Sequence, residues 1–409
     1  MTGQSILSTA FLVAALVLAS CELIGPDEDG DLRDLTDEEK EIVESDNRFG
    51  LSLFREINKA EADSNVFISP FSVSMALSMT LNGAAGQTLE DMKNTLEVKG
   101  LTMEQINQAN KSLMELLQNI DPKVNFQVAN SIWYREQFEV LARFIEVNQT
   151  YFDAEISEEN FASPEAVTKI NNWVKDKTNG RIEEIIDEIA PDVMMYLINA
   201  IYFKGTWLYE FDPDDTKKAP FYLADGTSTE VDMMSQKASL AYYGTDDYLA
   251  VDLPYGNGQF SMTAILPNQE IGVDGFIADL TEEKWSDLTS RLEEKDVTVF
   301  MPKFELTYDK ELKDVLSALG MEIAFSDGAD FSGINPDRDL YISRVLHKAN
   351  VTVDEEGTEA AAVTAVEIRE TSVGLEEPVV RLDRPFIFVI REHHSGSILF
   401  MGKMANPSA

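Results

Sequence analysis

The chain has 409 residues, 44% of them hydrophobic and 9% aromatic, enough apolar material for a substantial core, and no Pro/Gly/Ser-rich linker or fixed-period repeat divides it. Its 33 Lys and Arg against 73 Asp and Glu give a net charge of −40; with no local Lys/Arg cluster, this excludes nucleic acid and heparin-like polyanions as natural partners and reads as a solvated surface. Cys21 is the sole cysteine and His347, His393 and His394 are the three histidines, which rules out an intrachain disulfide and argues against a zinc or other metal site.

At the N-terminus, Ile6 to Ser20 is an apolar run ending in small residues, shorter than the about 20 apolar residues a membrane span needs. It fits the apolar region and cleavage site of a signal peptide, although MTGQS before it carries no Lys or Arg. Leu18-Ala19-Ser20-Cys21 resembles the lipobox of bacterial lipoproteins, in which the cysteine sulfur receives a diacylglyceryl group and becomes the mature N-terminus. That resemblance implies a lipoprotein signal peptide over residues 1–20. It also implies export, and a lipid anchor at Cys21 on a bacterial membrane facing the periplasm or the exterior. The alternative is a plain secretory signal with an incidental cysteine. Residues 21–36 are acidic and read as a flexible tether. Within them Asp27 to Asp31 hints at calcium, but Gly30 is misplaced for an EF-hand loop, and a solvated linker is the better reading.

Thr36-Asp37-Glu38-Glu39 has capping-box spacing, and Ile42, Phe49, Leu53 and Ile57 recur at helical intervals, which predicts a helix to about Lys59. Phe71–Leu81 reads as a deeply buried helix and Thr88–Leu96 as a short amphipathic one. Alternation of β-branched and aromatic residues predicts a strand from Val124 through Tyr134. Met195–Phe203 is an apolar run suited to a strand buried on both faces. Further strands are expected at Leu249–Leu253, Phe260–Leu266, Val297–Leu306, Val379–Leu382, Phe386–Ile390 and Ile398–Met404. Helices dominate the first half and strands the second, which predicts an α+β fold with large mixed sheets.

Chemistry-bearing motifs are absent: there is no Gly-x-Ser-x-Gly elbow, His-Glu-x-x-His, P-loop or Gly-x-Gly-x-x-Gly. His393-His394-Ser395 falls between two expected strands and reads as a hairpin turn. The sequence argues against catalysis. Its odd segment is Val351 to Glu377, which begins with strand-like alternation and then runs small through Gly357, Thr358, Ala360, Ala361, Ala362, Val363, Thr364 and Ala365. A connection this long without its own core is usually functional or disordered. As a strand it would point Thr358, Ala360, Ala362 and Thr364 to one face, all small enough to slide over a packed sheet. As an Ala-rich helix or a loose loop it would mean nothing, and the residues alone leave both open.

Four separated motifs, in order, resemble the serpin family, and the likeness runs from about Phe49 to the end. They are Asn65-Val66-Phe67-Ile68-Ser69-Pro70-Phe71-Ser72, Asn199 to Trp207, the hinge-like Asp354 to Ala362, and the C-terminal pair Asp383-Arg384-Pro385-Phe386 and Phe400 to Pro407. The resemblance implies a serpin domain over residues 37–409, helices packed on mixed and antiparallel sheets, and an exposed reactive loop at about 355–378. It implies a hinge of Glu355, Gly357, Thr358, Ala360, Ala361 and Ala362. Beneath the opening strands, Ser69, Ser72, Asn199 and His347 would form a "shutter", whose hydroxyls, amide and imidazole can satisfy one another. Glu355, Lys303 and Trp207 would meet at the "breach" where the loop enters the sheet. No cofactor is implied, and the expected state is a monomer.

The function implied is inhibition of a serine protease by a suicide mechanism. The protease attacks the loop, forms an acyl-enzyme ester, and is carried off when the cut loop inserts as a central strand before water can complete hydrolysis. Counting from Gly357 places the scissile bond at Thr371–Ser372, and counting back from Pro385 places it near Gly374. Thr371 suits an elastase- or subtilisin-like pocket; Arg369 would suit a trypsin-like one. Thr358 is expected to stand exposed until the loop is cut. A serpin-fold carrier that never inhibits is the alternative, which bulky or charged hinge residues would have favoured.

Overall fold

Thr36 caps the first helix as its spacing predicts. Its Oγ1 accepts from the Glu39 amide at 3.2 Å, and Glu39 Oε2 accepts from the Thr36 amide at 2.8 Å. The helix, α1 (Asp37–Ala60), buries Ile42, Phe49, Leu53 and Ile57. The computed structural model describes residues 32–337, 340–358 and 377–408. From Leu35 onward the chain is one compact unit.

After β1 (Val66–Ile68), α2 (Pro70–Leu81) is buried along nearly its whole length, with Pro70 in its first turn and the Ser69 hydroxyl accepting from the Ser72 amide at 3.1 Å. There follow α3 (Gly86–Thr95), α4 (Met103–Asn119), β2 (Val124–Arg135), α5 (Ala142–Phe152), β3 (Glu155–Glu159), α6 (Pro164–Lys177) and β4 (Met195–Thr206). The second half runs β5 (Lys217–Tyr222), β6 (Ser228–Gly244), β7 (Tyr248–Tyr255), β8 (Phe260–Pro267), α7 (Gly272–Ala278) and α8 (Glu282–Ser290). It continues with β9 (Glu293–Pro302), β10 (Phe304–Glu311), α9 (Lys313–Leu316), β11 (Leu346–Val353) and β12 (Gly357–Thr358). The C-terminal strands are β13 (Val379–Arg381), β14 (Phe386–Glu392) and β15 (Ile398–Met404).

Among the described residues the strands form two sheets. The six-stranded one has the order β10-β11-β12-β4-β2-β3, and the nine-stranded one β1-β15-β14-β8-β7-β6-β9-β13 with β5 on β6. The β2–β3 and β13–β9 pairs are parallel and the others antiparallel, so both sheets are mixed as expected. Aromatic rings join the sheets: Phe203 of β4 packs against Phe260 of β8 and Phe400 of β15, with ring centroids 5.8 and 6.3 Å apart.

Two expectations need correction. Val297–Leu306 is not one strand. It divides at Pro302-Lys303 into β9 of the larger sheet and β10 of the smaller, because the chain turns the corner between sheets there. Met195–Phe203 is not buried throughout either. Met195 to Leu197 and Asn199 are only half-buried.

Candidate functional site

The site starts at a turn. The Asp354 carboxylate accepts from the Glu356 and Gly357 amides at 3.0 and 3.2 Å, and the Asp354 amide donates to the Gly357 carbonyl at 3.0 Å. The reversal brings the chain straight back beside β11 and lays β12 between β11 and β4. Thr358 pairs with Val353 on one side and Gly205 on the other, and Gly357 pairs with Thr206. Only glycine fits at 357. Its φ is +151°, and a Cβ there would lie 2.2 Å from the Gly205 carbonyl oxygen and 2.8 Å from Thr206 Cα.

Thr358 is therefore not exposed before cleavage, contrary to expectation: it is 3% exposed, and its Oγ1 shares a hydrogen bond of 2.8 Å with the Tyr255 hydroxyl. The turn at Asp354 is tight enough to dock the hinge at once, and a buried phenol supplies the partner that a buried hydroxyl needs. The Tyr255 ring stacks on Trp207 at 4.3 Å and 13°, and the Trp207 indole donates to the Asp354 carbonyl at 3.0 Å. Burial among these rings pushes the Tyr255 phenol far up, so it keeps its proton.

The expected breach residues do converge here. Lys303 Nζ lies 2.5 Å from Glu355 Oε2, and Thr216 donates to the other Glu355 oxygen at 2.7 Å. Burial raises the Glu355 carboxyl, but the bonds from Lys303 and Thr216 outweigh it and hold the group below the ordinary carboxylate range. Trp207 reaches the same turn through its amide, which donates to the Glu356 carbonyl at 2.9 Å.

At the opposite end of β11 from Thr358, three of the four shutter residues touch. His347 Nε2 accepts from the Ser69 amide at 3.1 Å, and the Ser69 hydroxyl accepts from the Ser72 amide and donates to the Leu399 carbonyl at 2.8 Å. Burial pushes the His347 imidazole down to about 4, so it is neutral at pH 7. Asn199 does not join them. Its amide donates across the β4–β2 pair to Asn130 Oδ1 at 2.8 Å, and its buried Oδ1 has no partner among the described residues. Asn199, Ser72 and His347 nonetheless line one cavity of about 190 Å³ between β4 and β11, over α2. Among the described residues, the only strand between β4 and β11 is the two-residue β12.

Ala360, Ala361, Ala362, Arg369, Thr371, Ser372 and Cys21 lie outside the described residues. His393, His394 and Ser395 form the turn between β14 and β15. Ser395 donates to Glu392 at 2.5 Å and His393 sits 3.2 Å from Asp252, so hydroxyl and imidazole have separate carboxylate partners. Sequence reasoning missed Tyr255, Thr216 and Asn130. Only Tyr255 carried a signal, as a phenol ending an apolar strand that must find a polar partner when buried.

The family model for "Serpin (serine protease inhibitor)" matches residues 44–407. Iripin-2 of Ixodes ricinus is 38% identical over 374 residues, covering 90% of this chain and 94% of that one. The leukocyte elastase inhibitor of Sus scrofa is 36% identical over 380 residues, covering 90% and 100%. Tengpin, a thermophilic serpin solved in its native state, superposes with a TM-score of 0.83 at 34% identity, covering 92% of this chain and 96% of that one. The chain belongs to the serpin family.

Proposed function

We propose that this serpin is a suicide-substrate inhibitor of serine proteases, not an enzyme. The observation that carries the proposal is the place of β12: the hinge residues Gly357 and Thr358 are docked as a strand between β11 and β4, and among the described residues no other strand lies between those two. A strand continuing from Thr358 would run on between the same two neighbours. The protease serine would attack the Thr371 carbonyl, form an acyl ester, and release the amine of Ser372. Insertion from Gly357 to Thr371 supplies about 15 residues at roughly 3.3 Å each, near 50 Å of strand, which carries the acylated protease away from where it bound. Thr371 favours an elastase- or subtilisin-like target, in keeping with the likeness to a leukocyte elastase inhibitor. Arg369 leaves a trypsin-like target open.

The chain is read as an exported lipoprotein: signal peptide over residues 1–20, tether over 21–36, and a monomeric inhibitor domain from 37 held at a bacterial membrane by lipidated Cys21. Among the described residues no helix is long and apolar enough to cross a membrane. The test is incubation with elastase, subtilisin and trypsin, followed by a denaturing gel and the mass of the released fragment. A covalent complex with a fragment beginning at Ser372 is expected. Cleavage without any covalent complex would replace inhibition by the carrier reading.

A further inference from the structure

We propose that Tyr255 is a positioning residue for the trap: stacked on Trp207, it clamps the 354–358 turn and holds the first two residues of the added strand inside the sheet before any protease has cut the loop. This rests on the inhibitory reading above.

The contacts form a closed ring. Asp354 opens the turn and Thr358 ends it. Trp207 takes the Asp354 carbonyl with its indole N–H at 3.0 Å, Tyr255 takes the Thr358 hydroxyl at 2.8 Å, and the two rings lie face to face at 4.3 Å. Trp207 and Tyr255 are also joined by an isolated backbone bridge, so the clamp spans the two sheets: Trp207 follows β4 and Tyr255 ends β7. Gly205 keeps the approach close, since a Cβ there would meet the Tyr255 ring at 3.0 Å. A two-residue strand is a poor nucleus by itself, because ordering each residue costs more than one backbone bond returns. A side-chain bond from a pre-ordered, fully buried ring supplies what the backbone pairing lacks. Insertion then starts from a docked nucleus and does not have to find one during the lifetime of the acyl ester.

The clamp predicts a local effect that general loosening would not give. In Tyr255→Phe and in Thr358→Val, amide hydrogen exchange across 350–358 should rise by about three- to tenfold, the weight of one neutral buried hydrogen bond. Exchange across β14 should stay at the parental rate. Thr358→Ser keeps the hydroxyl and should restore parental exchange, and the Tyr255→Phe/Thr358→Val double variant should be no faster than the singles. With a protease the parent traps, the moles of inhibitor consumed per mole of protease should rise in the two single variants and not in Thr358→Ser. Unchanged exchange in Tyr255→Phe, an equal rise across β14, or an unchanged stoichiometry would overturn the clamp. A parent that traps no protease would overturn the inhibitory reading instead, and the exchange data would still decide whether the turn is clamped.

Discussion

Two buried groups titrate in opposite senses between pH 5 and 7, and their opposition can be measured. His347 has a folded value of about 4 against an ordinary 6.5, because burial penalises the imidazolium. In that window the unfolded chain binds the proton that the folded chain refuses, so stability from His347 is complete above 6.5 and drains away as pH falls towards 4. From pH 7 to 5 the loss is about 2 kcal/mol, taking 1.36 kcal/mol per pKa unit. Asp46 is the mirror case. On α1, bonded by the Ser74 hydroxyl at 2.5 Å, it is pushed up by burial to about 7 from an ordinary 3.8. Its folded form holds a proton that the unfolded form sheds, so its contribution is complete below 3.8 and lost as pH rises through 7. Between pH 7 and 5 it returns about 2 kcal/mol, nearly cancelling His347. Carboxyls held low, such as Asp252 and Glu355, act only below their ordinary range and leave this window undisturbed. The assay is urea unfolding at pH 5, 6 and 7. Parent stability should be nearly flat, Asp46→Asn should lose about 2 kcal/mol on going from pH 7 to 5, and His347→Gln should gain about as much. Parallel pH profiles for all three proteins would refute the assignment.

Three other outcomes follow from the site. Thr358→Arg should abolish covalent trapping on a denaturing gel and leave active protease beside cleaved chain, because an unpartnered guanidinium buried in the sheet costs several kcal/mol. As Thr358 is already buried, the same variant should also undock its hinge before cleavage, read as new susceptibility to a non-target protease near residue 358. Cleaving the loop should raise the melting temperature, since the inserted strand would extend β12 between β4 and β11, whereas a nicked protein melting at or below the intact one would count against insertion. Expressed in a bacterial host, Cys21→Ser should leave the membrane fraction for the soluble one; equal partitioning with the parent would remove the anchor.

What could be read from the residues was whatever short-range rules decide. The Thr36–Glu39 capping box, the buried helix expected over Phe71–Leu81 and the bounds of β15 follow from spacing within a few positions, and the structure places them accordingly. Lys303 with Glu355, and Ser69 with His347, came from the family resemblance and do meet. The misses at Asn199 and Thr358 share one cause, a choice among distant partners that local pattern does not encode. Asn199 could bond any polar neighbour of the sheet and takes Asn130, its opposite across the β2–β4 pair. Thr358 looked free because nothing near it in sequence announces a phenol from β7. The division of Val297–Leu306 did carry a mark, Pro302, which removes a ladder donor and belongs at a strand boundary.

The corner at Pro302-Lys303 has a mechanical consequence. There β9 of one sheet becomes β10 of the other, and Lys303 at that corner grips Glu355 just beyond β11. The β10–β11 pair is thus pinned at the end where Thr358 docks. At the opposite end it borders the cavity, where the Ser69–His347 bond ties β11 to the cap of α2. A pair tied at both ends parts from its neighbour as a bowed plank does, least at the two ties and most between them. Chain threading down from Thr358 therefore meets resistance twice, first beside the Lys303–Glu355 tie and last beside the Ser69–His347 tie.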